Sequence, residues 1–154
     1  MEQHLGILDW IQHTSVSAWI SESLWGYPIV LSSHAVGMAI VVGVVTMIDI
    51  RVLGYAKQIP IASFKSLFNL AWGGFALNFI SGCLLFTGDP NKFFFDWPFR
   101  IKITLIILGM ISVWLLLREV KDTDESTSRA KAIAAFSLLC WFGAITAGRL
   151  TAYL

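Results

Sequence analysis

Long apolar runs separated by short polar stretches dominate the pattern of hydrophobic and polar positions along this chain. Four runs, at residues 27–50, 66–87, 98–117 and 132–154, are each close to the roughly 20 residues that a helix needs to cross a bilayer. The polar segments between them are too short to form domains of their own. The pattern therefore predicts an all-α fold, a single integral membrane domain built as a four-helix bundle.

Residues 1–26 show a different pattern, in which tryptophan and aliphatic residues interleave with acidic and polar residues. This pattern is typical of an amphipathic helix that lies in the interface of a membrane. The segment contains no Lys or Arg, so it lacks the basic start of a signal peptide. We therefore expect residues 1–26 to be retained as an interfacial helix within one domain, 1–154.

Composition and charge narrow the class further. The 154-residue chain is 56% hydrophobic and 14% charged, with a formal net charge of +1. It has no basic surface to displace phosphate counterions, so we expect no nucleic-acid partner. Most of the Lys and Arg residues fall in the linkers after the first and third spans. The positive-inside rule places these linkers in the cytoplasm, which predicts that both termini lie on the outer side of the membrane, in the periplasm if the host is a bacterium.

Three ionisable residues interrupt the apolar spans at one predicted level. His34, Lys102 and Arg149 lie six, four and five residues from the predicted outer ends of their helices, or about 6–9 Å at helical rise. An ionisable residue within a span is a functional-site hypothesis by default. Simpler explanations stand beside it. Lys102, Arg149 and the neighbouring Arg100 can extend to lipid headgroups, and His34 can hydrogen-bond to a serine or a backbone carbonyl.

These residues predict a haem b site in the outer half of the membrane. A histidine on a membrane helix is a common axial ligand of haem iron, and Arg100 and Arg149 could pair with the propionates. His34 is the only histidine in the spans, so Lys102 is the candidate second ligand. Met38, one turn from His34, is expected to pack on the macrocycle. The predicted function is electron transfer, with quinol or a periplasmic redox protein as the partner.

A copper-handling membrane protein is the alternative hypothesis. His34 and Met38 share a helix face, and Cys83 and Met47 add sulfur donors of the kind that Cu(I) prefers. A third hypothesis is a non-redox accessory subunit of a larger membrane complex, and a homo-oligomer also stays open. The sequence contains no positioned acid–base pair, so no catalytic residue is predicted. Any oxidoreductase chemistry would belong to the cofactor.

Asp49 and Arg51 lie near the opposite end of the first span. Positions i and i+2 do not face each other on a helix, so these two residues do not form a pair. We expect Asp49 to bond to another helix or to Lys65, a structural role that is favoured over a proton relay. Asn69 and Asn78 of the second span are expected to form hydrogen bonds between helices, and the glycines of the spans to permit close approach.

Several strings of the chain also resemble known membrane families. SLWGYPIVLSSH, DIRVLGY, PFRIK and AGRLTAY follow in this order and resemble a family of small bacterial four-helix inner-membrane proteins over nearly the whole chain. More distantly, a histidine in one helix and a lysine heading a later helix are similar to the copper resistance protein D superfamily, which includes the protoporphyrinogen oxidase HemJ. The resemblance to HemJ implies that His34 and Lys102 handle a b-type haem. The resemblance to copper resistance protein D implies copper uptake.

Overall fold

The computed structural model describes residues 6–120 and 127–153, and every regular element within these ranges is helical. Two short helices come first, α1 (Gly6–Gln12) and α2 (Ser15–Glu22). The remaining helices are α3 (Gly26–Leu53), α4 (Lys65–Gly88), α5 (Pro90–Phe95), α6 (Trp97–Glu119) and α7 (Ser128–Tyr153), with a 3-10 turn at Ile61–Phe64. The predicted all-α class is confirmed.

Four of these helices are long and apolar enough to cross a membrane: α3, α4, α6 and α7. The 28 residues of α3 extend about 42 Å, more than the roughly 30 Å of a hydrocarbon core, so its ends reach the interfaces. The predicted spans fall within these four helices, except that Leu154 lies outside the described residues. The protein is therefore an integral membrane protein with four helices able to span the bilayer.

The long helices pack as two antiparallel hairpins, α3 with α4 and α6 with α7. The hairpins are joined through α3 and α7, whereas α4 and α6 make few direct contacts with each other. We call the end at which α3 begins the arm end, because α1, α2 and α5 lie there. The opposite end, where α3 ends, is called the basic end. The side of the bundle between α4 and α6 is its least tightly packed side.

Two buried apolar clusters hold the bundle together. The first lies at mid-height and contains Val41, Val42, Val45 and Trp141. The second lies at the basic end and contains Val44, Ile48, Val52, Phe64, Leu116, Val120, Ala130 and Ala134. The outer faces of the bundle instead expose large apolar side chains, including Trp72, Phe79, Ile107 and Leu139. Such faces suit lipid rather than water, which agrees with a membrane location.

The N-terminal arm is two short helices and not the single helix predicted for residues 1–26, of which residues 1–5 lie outside the described part. The break occurs at Thr14, whose Oγ1 accepts a hydrogen bond from Ser17 N at 3.3 Å and caps α2. Ser17 Oγ donates to the Thr87 carbonyl at 2.7 Å and fixes α2 against the end of α4. Residues 6–26 expose three tryptophans, a residue type that is common at membrane interfaces: Trp10, Trp19 and Trp25.

Candidate functional site

His34 lies on α3 near the arm end, half-buried against α4. Its Nδ1 is 3.0 Å from the Asn78 carbonyl oxygen and 3.1 Å from Ser81 Oγ. A carbonyl oxygen can only accept, so Nδ1 carries the proton and the lone pair is on Nε2. Within the described residues, Nε2 has no hydrogen-bond partner. The contacts of His34 therefore fix its tautomer and leave one nitrogen free to bind.

Asn78 of α4 also donates a hydrogen bond to α3, the helix that carries His34. Its Nδ2 donates to the His34 carbonyl oxygen at 2.9 Å, so two hydrogen bonds join these residues across the α3–α4 contact. The predicted interhelical role of Asn78 is observed. Asn69, by contrast, is exposed and forms no interhelical hydrogen bond among the described residues. The difference arises because Asn69 lies on a face of α4 that points out of the bundle.

Small residues make room for this contact. A Cβ atom on Gly37 would lie 2.7 Å from Asn78 N and 2.8 Å from the Gly74 carbonyl oxygen, closer than such atoms can approach. A Cβ atom on Gly82 would lie 3.2 Å from Cε1 of His34. Glycine at these positions lets the backbones of α3 and α4 approach and gives the imidazole its place, as expected for close membrane-helix packing.

Lys102 approaches the same region from α6. Its side chain passes Gly148 of α7, where a Cβ atom would lie 3.3 Å from Lys102 Cδ. The charges of Lys102 and His34 are close enough to interact. Lys102 has no acidic partner within the described part of the chain. The structure thus brings two of the predicted site residues together and leaves Lys102 as a half-buried cation without a counter-ion.

A small cavity lies between the four long helices beside Lys102. It has a volume of about 30 Å³, room for roughly two water molecules. Met38 and Lys102 line it, as does Asn78, which connects it to His34. Its other walls are Val41, Val42, Phe75, Ile106, Trp141, Ala144 and Ile145. The indole Nε1 of Trp141 is buried and has no hydrogen-bond acceptor among the described residues.

The other predicted site residues lie elsewhere. Arg100 is exposed, with its guanidinium 5.9 Å from the centroid of the Phe94 ring, and Arg149 is also exposed. Cys83 is exposed on α4, and Met47 lies 13 residues beyond His34 on α3, or about 20 Å away. None of these four residues lines the cavity. In the described ranges, no group of three or more His, Cys, Asp and Glu side chains is placed to hold a metal ion.

An aromatic cluster that the sequence analysis did not identify covers the arm end of this region. The Phe86 ring of α4 is 5.8 Å from the Phe99 ring of α6, and Phe93 of α5 is 5.7 Å from Phe99. The three rings bridge α4 and α6, which make few other contacts. The spacing of Phe86 and Phe99 in the chain gives no sign of this contact, because only the turn formed by α5 brings them together.

The fold and this geometry define a class: an integral membrane bundle with a histidine–asparagine–serine cluster and an unpaired lysine near one end. Comparison of the chain with protein-family models, curated proteins and solved structures finds no match. The function of the protein therefore has to be inferred from its own side chains.

Proposed function

We propose that this protein binds haem b through His34 and takes part in electron transfer across one leaflet of the membrane. The observation that carries the proposal is the hydrogen bond from His34 Nδ1 to the Asn78 carbonyl. Metal-binding histidines commonly donate their second ring nitrogen in this way, which orients the ring and keeps the lone pair on the binding nitrogen. When bound, haem would supply one-electron redox chemistry.

Lys102 adds to the proposal because it is a cation without an acidic partner in the described part of the chain. A half-buried, unpaired ammonium suits an anionic group, and a haem propionate is such a group. In its neutral form the amine would instead be a second iron ligand. The exposed guanidinium groups of Arg100 and Arg149 are available to propionates only where these reach the surface.

Space limits how a haem can be held. The cavity volume of about 30 Å³ is far below the roughly 300 Å³ of even a small ligand pocket. The donor groups fit haem b, but the closed interior does not enclose a macrocycle. Binding therefore requires α4 and α6 to separate beside Lys102. Among neighbouring pairs of long helices, α4 and α6 make the fewest direct contacts, so this separation would open the contact between the Phe86 and Phe99 rings and little other packing between them.

The orientation proposed for the site follows from charge. The basic end carries Arg51, Arg118, Arg129 and Lys131, so the positive-inside rule places it in the cytoplasm. The arm end, His34 and both termini are then on the periplasmic side of an inner membrane. We expect the redox partner to approach from this side, as quinol within the bilayer or as a periplasmic protein.

Absorption spectroscopy tests the haem proposal. The protein is produced with ample haem, purified in mild detergent and measured before and after reduction with dithionite. We expect a Soret band with sharpened α and β bands, its loss in His34→Ala, and its retention in the control His13→Ala, since His13 is exposed in the arm. Absence of haem from the wild-type protein, or a normal spectrum from His34→Ala, would refute the proposal.

Lys102→Met separates the two roles of Lys102. If the amine binds iron, the position of the reduced bands changes in this variant. If the ammonium pairs with a propionate, the bands keep their positions and the haem is lost more readily in detergent. A spectrum and a haem occupancy equal to those of the wild type would remove Lys102 from the site.

A Cu(I) site is the second candidate, and the small size of the cavity favours it, since one ion needs far less space than a macrocycle. His34 and Met38 lie on one face of α3 and supply ligand types that Cu(I) accepts. The nearby charge of Lys102 opposes a bound cation. Metal analysis of the same purified sample distinguishes the candidates: Met38→Leu lowers bound copper if copper is the ligand, and it leaves haem occupancy close to wild type if haem is.

A further inference from the structure

Asp49 is a buried acidic residue that the proposed haem site does not use. It lies on α3 near the basic end and its side chain is 0% exposed. Neither carboxylate oxygen has a hydrogen-bond partner among the residues that the structure describes. Moving an unpaired carboxylate from water into an apolar interior costs several kcal/mol of free energy. Within a membrane bundle, such a group is a functional-site hypothesis by default.

A second unpartnered group faces Asp49 from another helix. Ser137 of α7 is also 0% exposed, and its hydroxyl forms no hydrogen bond within the described part of the chain. The hydroxyl is close enough to the carboxylate to interact with it, although not aligned as a full hydrogen bond. Two oxygen-bearing side chains that lack hydrogen-bond partners among the described residues therefore meet at the α3–α7 contact, beside the apolar cluster of the basic end.

No described cation compensates Asp49. The basic side chains at this end contact other groups or are exposed. Arg51 Nε donates to the Ile59 carbonyl at 2.6 Å, and the Arg118 guanidinium lies 3.6 Å from the Trp114 ring centroid. Arg129 is 3.3 Å from Glu119, and Lys57 and Lys131 are exposed. Cys140, one turn from Ser137 on α7, is also buried and bears no formal charge as a thiol. The side chain of Lys65, the partner expected from the sequence, lies outside the described residues, as do residues 121–126.

We propose that Asp49 and Ser137 form a proton-binding site. Asp49 is a neutral carboxylic acid in the folded protein, and its O–H donates to Ser137 Oγ after a small rotation. This arrangement gives both groups a hydrogen-bond partner and removes the buried charge, whereas an ionised carboxylate that accepts from the Ser137 hydroxyl would keep that charge. The site is independent of haem binding at His34. It lies at the end of the bundle that the charge distribution places in the cytoplasm, four residues before α3 ends at Leu53.

Infrared spectroscopy tests this site directly. A protonated carboxylic acid has a C=O stretch separate from that of a carboxylate, and deuterium oxide shifts it. We expect this band at neutral pH in the wild-type protein and in the control Asp96→Asn, because Asp96 caps α6 at the arm end. We expect Asp49→Asn to remove the band. No such band in the wild type, or its persistence in Asp49→Asn, would overturn the proposal.

Ser137→Ala provides the second test and does not depend on the folding of Asp49→Asn. Loss of the hydroxyl should leave the band present but move it to higher frequency, because the carboxylic acid loses its acceptor. Ser33→Ala is the matched control, since Ser33 hydrogen-bonds only within α3, to the Ile29 carbonyl. A band that does not move in Ser137→Ala, or that moves equally in Ser33→Ala, refutes the pairing of Asp49 with Ser137.

Discussion

Gly37→Ala should destabilise the bundle at the contact that holds His34. The added Cβ would lie 2.7 Å from Asn78 N and 2.8 Å from the Gly74 carbonyl oxygen, against an ordinary contact of 3.4–4 Å. Both obstructing atoms belong to the backbone, so α3 and α4 must separate by more than half an ångström. Overpacking of this kind costs about 1–3 kcal/mol.

Two further contributions act on this variant in opposite directions. Separation of the helices stretches the two hydrogen bonds between His34 and Asn78, and bonds of this kind in membranes contribute about 0.6 kcal/mol each on average. Alanine in place of glycine favours the helix by about 1 kcal/mol. These two contributions nearly cancel, so we expect a net loss of about 1–3 kcal/mol from the steric term.

Thermal unfolding in detergent, followed by circular dichroism, measures this loss. A change of 1 kcal/mol shifts the Tm of a chain of this size by about 2–4 °C, so we expect a decrease of several degrees. Gly43→Ala on α3 and Gly73→Ala on α4 are matched controls, since an added Cβ meets no atom within 4 Å at either position. Both controls should keep or slightly raise the Tm. Equal Tm values for Gly37→Ala and Gly43→Ala would refute the close-packing argument.

Three further outcomes are expected. Asn78→Leu removes the donor to the His34 carbonyl and should cost about 0.6–2 kcal/mol in the same unfolding assay, with a shifted or weakened haem spectrum. Gly54→Ala should lower the free energy of unfolding by about 1–3 kcal/mol, because φ is +111° at this residue. An effect no larger than that of Gly43→Ala would contradict this expectation. In a chain without native cysteines, an impermeant maleimide added outside intact cells should label cysteine at position 92 and not at position 57. The reverse result would invert the topology.

The number and limits of the membrane helices could be predicted from the sequence because a bilayer leaves few alternatives. A run of about 20 apolar residues has to satisfy its backbone internally, so it becomes a helix. The N-terminal arm was harder, since an interfacial segment has no such constraint. Thr14 caps α2 there, so two short helices replace the single continuous helix predicted from the sequence.

The rotation of each helix could not be predicted. Apolar residues lie on nearly all sides of α6, so its sequence pattern does not indicate which face contacts α7. Lys102 turns inward because Gly148 leaves space for its side chain, while Arg149, the next residue on α7, turns outward. Proximity in depth along the membrane was therefore a correct guide for Lys102 and His34, and a poor one for Arg149.

His34 illustrates why a structural and a functional explanation need not exclude each other. A hydrogen bond to serine or to a backbone carbonyl is the structural alternative to a role as a ligand, and both hydrogen bonds are present. Yet the bond to the Asn78 carbonyl occupies only Nδ1 and fixes the lone pair on Nε2. The structural contact is thus also the feature that would prepare His34 to bind iron or copper.

The two proposed sites are on one helix but are not joined by a polar path. His34 and Asp49 are 15 residues apart on α3, or about 22 Å, and the apolar cluster of Val41, Val42, Val45 and Trp141 lies between them. A proton at Asp49 therefore has no chain of described polar groups by which to reach the site at His34. Any coupling between the sites would have to act through movement of α3 against α7. Asp49 and Ser137 meet at the contact between these helices, and the Trp141 ring of α7 packs against α3 in the cluster between the two sites. This arrangement argues against a proton path across the membrane through these two groups.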